Sequence, residues 1–187
     1  MKALVQDALA EASTRPDDGA TLGAVNRNRS KNFVECLAAE LRQRYVDRGN
    51  VAVFSKHYDG NRKRHGLNEL MYDVAVCETK QVASSTGRTE LTYVSSIVLA
   101  IESEMAQDSR EALYDFSKLV MGNATTNLFV GPRVADEGAY LATLGPAADC
   151  CSGETFVALI LHPARWEGGR SADVSVWLRK AGKWLPA

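Results

Sequence analysis

The chain has 187 residues, 45% of them hydrophobic and 24% charged, enough for one compact core and short for several independent domains. Twenty-two Lys and Arg against 23 Asp and Glu give a net charge of −1, which excludes a generally basic nucleic-acid coat and an acidic solvating protein. No apolar run approaches the roughly 18 residues that span a bilayer, and Asp7 falls where a secretory signal would be apolar, so a cytoplasmic protein is expected.

Residues 2–12 read as a short helix, ended by the polar cluster around Pro16 and Gly19. The segment to residue 29 reads as loop. Residues 1–29 are thus expected to be a helix and loop ahead of a single domain over 30–187. Ser30 is a natural N-cap for a stronger helix that runs to about Val46. On it Phe33, Val34, Leu37, Leu41 and Tyr45 make one apolar stripe, with Glu40 at its inward edge and Glu35 facing away.

The run from Val51 to Phe54 has strand character, and a basic stretch from Ser55 to Gly66 follows it. From Leu70 to Cys77 Asp73 interrupts an apolar strand pattern. A polar segment over 79–92 holds a turn at Ser84 to Gly87. The apolar run from Ile97 to Ile101 reads as a central strand buried on both faces, and it runs straight into Glu102-Ser103-Glu104. Ser109 or Asp108 caps a helix over 110–121. Thereafter come a strand over 126–130, a helix over 134–145 stopped by Gly145-Pro146, a strand over 155–161 and an alternating edge strand over 173–178. The order predicts a mixed α/β architecture, a sheet of about five to six strands flanked by helices.

Asp73 and Glu102-x-Glu104 carry the chemistry. Positions i and i+2 of a strand share a face, so Glu102 and Glu104 project together, and Asp73 joins them if its strand pairs with theirs. Three carboxylates at the end of an apolar strand repel one another unless a cation or a proton neutralises them. Oxygen donors select Mg²⁺ or Mn²⁺ over Zn²⁺. Such an ion beside a phosphodiester polarises the phosphoryl oxygen, activates water and steadies the leaving oxygen. The other reading of Glu-x-Glu is a solvated cap on a strand end.

A helix with an inward Glu, a strand bearing Asp, an apolar strand ending in an acidic motif, a helix and another strand together resemble the PD-(D/E)XK nuclease superfamily, the restriction-endonuclease-like fold. The likeness covers roughly residues 30–131. It implies a metal-dependent nuclease hydrolysing phosphodiester bonds, with DNA as the expected substrate. It further implies that Asp73 and Glu102 hold the metal, that Ser103 offers its backbone carbonyl, that Glu40 supports them from the first helix, and that Lys118 lies near the site.

The chain departs from that pattern twice. Glu104 stands where the motif has Lys, an E-x-E variant, so either Glu104 serves as general base or orients water, or Lys118 supplies the missing cation. Tyr72 stands where the motif has Pro. Double-strand cutting by this fold implies a homodimer. The rival from another class is a catalytically inactive binding module of the same fold, partner-binding or immunity-type.

Charge along the chain is uneven. Residues 1–65 carry 12 Lys and Arg against 8 Asp and Glu, and the remainder carries 10 against 15, which suits an anionic substrate held over metal-bound acids. Lys56, His57, Arg62, Lys63, Arg64 and His65, interleaved with Tyr58, form either a phosphate-contacting loop or a solvated hairpin turn around Asp59-Gly60-Asn61. Of these, Lys56, Arg62, Lys63 and Arg64 are the candidate nucleic-acid contacts. Glu69 is an additional ligand or a solvated acid. His162 reads as a strand-end residue, and Trp166, Trp177 and Trp184 as core or interface. Cys36 and Cys77 fit apolar patterns as small buried hydrophobes. Cys150-Cys151 is an adjacent pair outside any C-x-x-C spacing. Neither a G-x-S-x-G elbow nor a glycine-rich phosphate loop occurs.

Overall fold

The computed structural model describes residues 1–56, 58–166 and 174–187; His57, and Asp173 at the start of the last expected strand, lie outside them. Helices α1 (Lys2–Thr14) and α2 (Leu22–Arg44) precede β1 (Val51–Ser55), α3 (Asp59–His65), β2 (Val74–Ala83) and β3 (Glu90–Ser103). Then follow α4 (Ser109–Met121), β4 (Ala124–Pro132), α5 (Glu137–Ala148), β5 (Glu154–Ile160), a 3-10 turn at Pro163–Arg165, β6 (Ser175–Lys180) and β7 (Lys183–Pro186). The seven strands form one mixed sheet in sequence order. β3, β4 and β5 are parallel, and every other neighbouring pair is antiparallel. Among the described residues no helix is long and apolar enough to cross a membrane.

Strand alternation builds three layers. Val74, Val76, Leu99, Ile101, Leu128 and Val130 point to the face covered by α1 and α2, where Leu4, Leu9, Phe33 and Leu37 meet them. Ala75, Cys77, Ala100, Phe129, Val157 and Leu159 point to the other face, under Phe116, Leu119, Tyr140 and Leu144 of α4 and α5. The Leu99–Ile101 stretch of β3 is therefore buried on both faces, as its apolar run requires.

Several expectations are corrected. α2 begins at Leu22, not Ser30, because the Thr21 hydroxyl accepts the Ala24 N–H at 3.2 Å and caps it there. α1 packs into the same apolar cluster as α2 and the sheet. The polar residues of 79–92 are mostly strand, the arms of a long β2–β3 hairpin that turns at Gly87 with φ +65°. Pro146 lies inside α5, three positions from its end, and the Ala142 carbonyl it leaves without a helical N–H belongs to an exposed residue that water reaches. β7 is an additional strand. It is joined to β6 by Ala181-Gly182 at φ +48° and +72°, the left-handed pair that a two-residue hairpin demands.

The basic stretch is a helix, not a hairpin tip. Asn61 is buried, and its side-chain amide donates to the Val53 carbonyl at 2.6 Å, closing part of the free edge of β1. The His65 ring packs on Phe54, 5.3 Å between centroids. These contacts hold Asp59–Gly60–Asn61 as the first turn of α3, and Gly66 at φ +79° ends it.

Candidate active site

The acid cluster forms at the sheet end where β2 begins and β3 stops. Val74 pairs with Ile101, which sets Asp73 opposite Glu102 one step beyond the ladder. Asp73 precedes β2 rather than lying inside it. Its Oδ2 accepts the Ser103 N–H at 2.9 Å and the Ser103 hydroxyl at 2.7 Å, so a side chain takes the place of the next ladder partner and ends the pairing.

Glu102 shares the parity of Ala100 and faces α4. Its side chain is 1% exposed, and Oε2 accepts from Lys118 Nζ at 3.0 Å. Lys118 also reaches Asp115 Oδ1 at 2.7 Å. Glu102 Oε1 is sealed from solvent with no hydrogen-bond partner among the described residues, an unfavourable condition for a buried carboxyl oxygen. Glu104 lies beyond the strand end. One of its oxygens accepts the Ala106 N–H at 2.5 Å, and its carboxyl neighbours Asp115 closely enough to share a hydrogen bond. Asp73, Glu102, Glu104 and Lys118 are thus brought together, and Asp115 links the last two.

Burial dominates the electrostatics. It lifts Glu102 from an ordinary 4.5 to about 8, with neighbouring Asp73 adding repulsion and Lys118 opposing both. Burial also raises Asp73, against the hydrogen bonds from Ser103 that hold its charge. Glu104 is raised by burial and by Asp115, against the Ala106 N–H. Lys118 pays for partial burial, but its bonds to Asp115 and Glu102 outweigh that and hold its ammonium well above the ordinary range. Crowded acids are answered here by one ammonium and by retained protons. Two buried tyrosines flank them, Tyr72 near Glu102 and Tyr140 near Glu104. Neither hydroxyl has a hydrogen-bond partner.

A cleft of about 350 Å³ opens beside Ser103 and Glu104, with Asn26, Arg27 and Ser30 of α2 and His162 on its other walls. His162 caps the 3-10 turn through Nδ1, which accepts the Ala164 N–H at 3.2 Å, in line with a strand-end role.

Glu40 is elsewhere. Its carboxylate accepts from Arg44 Nε at 2.9 Å and lines a groove between α1 and α2 with Asp7, Glu11 and Arg15. Asn26, which does reach the acid end, is 14 residues earlier on α2, about 21 Å along the axis. The edge of the apolar stripe looks toward α1, not toward Asp73. The basic candidates also divide. Lys56 and Arg62 line a depression that includes Glu69 and leads into the loop before Asp73, Arg64 belongs to a groove on the other side of α3, and Lys63 is exposed. Cys36 and Cys77 are buried, and burial raises their thiols to about 11 and about 12, which leaves them inert.

Among the described residues no group of three or more His, Cys, Asp or Glu is arranged to hold a metal by side chains alone. Magnesium asks for less, one or two carboxylates with waters and substrate phosphate oxygens. The unpartnered Glu102 Oε1, the adjacent Asp73 carboxylate and the all-oxygen donor set fit that requirement. Asp115 was not singled out in the sequence, although Glu111, Asp115 and Lys118 at i, i+4 and i+7 share one helical face that could have drawn notice. Compared with family models, curated proteins and solved structures, the chain finds no match.

Proposed function

We propose that the protein is a metal-dependent nuclease of restriction-endonuclease-like type, hydrolysing phosphodiester bonds in nucleic acid, with DNA as substrate. One observation carries the reading: Asp73 and Glu102 meet at paired strand ends, and Glu102 presents a buried oxygen that nothing among the described residues satisfies. The element order around them, α2, three antiparallel strands, α4 and a parallel β4, supports it.

Asp73, Glu102 and the Ser103 carbonyl would hold Mg²⁺ or Mn²⁺, which supplies charge to polarise a phosphoryl oxygen and acidify water. Glu104, whose carboxyl is raised above its ordinary range by burial and by Asp115, is placed to accept the proton of an attacking water and pass it toward Asp115. Lys118 keeps Glu102 oriented and offers positive charge where the motif has its Lys. Arg27, across the cleft from Glu104, is positioned for a substrate phosphate. Cutting both strands of a duplex asks for a homodimer.

The same Lys118 favours a second reading, a catalytically silent binding module, since its ammonium already occupies one oxygen of Glu102. Thermal melts with Mg²⁺ or Mn²⁺, run with cleavage assays on labelled DNA and RNA, separate the two. A nuclease gains stability from metal and cuts, and loses both in Asp73→Asn. No metal response and no cleavage in the wild type overturns the proposal.

A further inference from the structure

A second cluster of cations lies at the other side of α3. A groove of about 270 Å³ runs between the end of α2, β1 and α3, walled by Arg42, Arg48, Arg64, His65, Tyr45 and Tyr58. Arg15, Arg29, Arg44, Arg110, Arg133 and Arg179 each have a carboxylate in ion-pair range. Among the described residues Arg42, Arg48 and Arg64 have none. Arg42 is partly buried nonetheless. It bonds only the Ser55 hydroxyl, at 3.4 Å, and stacks on Tyr58 with Cζ 4.0 Å from the ring centroid. Tyr58 in turn lies against Gly60, where a Cβ would stand 2.6 Å from its Cζ, so the guanidinium rests on a fixed support. Arg48 lies over Tyr45 at 5.1 Å. His65 Nε2 is sealed and has no hydrogen-bond partner among the described residues.

A partly buried guanidinium stacked on a ring, two exposed arginines beside it and no carboxylate in ion-pair range among the described residues are what an anion with an attached flat ring would complete. Guanidinium planes and aromatic faces stack bases, and the charges take the phosphates. The groove is too small for the width of a duplex. Its β1 wall is Val51, Ala52 and Val53, and Arg42 links it toward the acid end through Ser55, which pairs with Val74, next to Asp73; strands about 4.8 Å apart put β1 about 10 Å from β3. Lys56 and Arg62 line the ground between.

We infer that this groove seats an unpaired strand of the nucleic acid whose phosphodiester the acid cluster attacks, so that the substrate class is single-stranded or locally opened nucleic acid. The inference rests on the nuclease reading for its link to cleavage, but not for binding. A single-strand substrate also removes the need for a homodimer.

The test is fluorescence anisotropy in EDTA over 50–300 mM salt, using a labelled 20-nucleotide single strand and its duplex. Arg48 and Arg64 are exposed, so R48Q/R64Q is the folded variant of choice, checked by thermal melting, with R110Q as control. The wild type should bind the single strand at least tenfold more tightly than the duplex. R48Q/R64Q should lose about tenfold for the single strand, with a salt slope shallower by about 1.4, two contacts at roughly 0.7 each for a single strand; R110Q should not change. Equal affinity in the double variant, or preference for duplex, overturns the inference. So does a mononucleotide that saturates the groove and shows the whole loss, which would make it a small-molecule site. Cleavage is scored separately. Metal-dependent cutting with unaltered binding in R48Q/R64Q defeats the groove alone, and loss of binding without any cutting by the wild type defeats the nuclease reading alone.

Discussion

The acid end of the sheet gathers Asp73, Glu102, Glu104 and Asp115 near one ammonium, whereas the groove beside β1 gathers Arg42, Arg48 and Arg64 with no carboxylate in ion-pair range among the described residues. Glu102 is buried, the other acids are partly withdrawn from water, and three of the four are pushed toward the protonated form. Arg48 and Arg64 stay in water and Arg42 is only partly withdrawn. A net charge of −1 thus averages a desolvated negative site and a solvated positive one a few strands apart. Burial raises the energy of the acids until a cation arrives, while exposure leaves the arginines free to attract phosphate over a Debye length.

The sharpest break of that contrast is at Glu102. Glu102→Gln keeps the shape but removes the charge, and metal-dependent cleavage should fall by about 100-fold or more, measured as single-turnover rates at saturating Mn²⁺. Retained activity would move the chemistry elsewhere.

Lys118→Met is next. Removing the ammonium leaves Glu102 buried against Asp73, and above pH 8 the metal-free variant should lose about 2–3 kcal/mol in denaturant melts, below a fully buried pair because Lys118 is partly exposed. The folded protein keeps a proton on Glu102 up to about pH 8, while the unfolded chain sheds it near 4.5. Wild-type stability from this group therefore falls as pH rises between those values. The gap should narrow at pH 5, where Glu102 is protonated in both, to what the Lys118–Asp115 pair contributes. A pH-independent difference would mean that Lys118 acts by packing alone.

Metal and proton compete for the same carboxyls, so the thermal shift given by Mn²⁺ should grow by a few degrees from pH 6 to pH 9. A flat profile would place the ion away from Glu102. Smallest of all is Glu40→Gln, which belongs to the α1–α2 groove. It should leave cleavage and the metal shift unchanged, and change stability by less than about 0.5 kcal/mol through its exposed pair with Arg44.

What the sequence made legible follows from local signals. The apolar run of β3 and the mixed sheet flanked by helices needed only alternation and length; the shared face expected for Glu102 and Glu104 does not apply, because β3 ends at Ser103. Asp73 was found beside Glu102 because antiparallel pairing of neighbouring strands is the simplest connection. Glu40 was misplaced because a helical wheel gives an angle but not which neighbour stands there, and α1 took the flank of α2. The basic stretch was read as loop or turn because seven polar residues show no apolar period; Asn61 and His65, bound to β1 and Phe54, decide it as helix. Asp115 and the Arg42–Tyr58 stack depend on contacts between separate elements. β7 hid behind Ala181, an unusual residue at positive φ.

The most direct test of the central claim is Mn²⁺-dependent cleavage of an end-labelled oligonucleotide by wild type and by Asp73→Asn, alongside their thermal shifts with Mn²⁺ at pH 8. The account predicts cutting and a stabilising shift in the wild type, and neither in the variant, which should still fold. Cutting that persists in Asp73→Asn, or a wild type that shows no shift and no cutting, would contradict it.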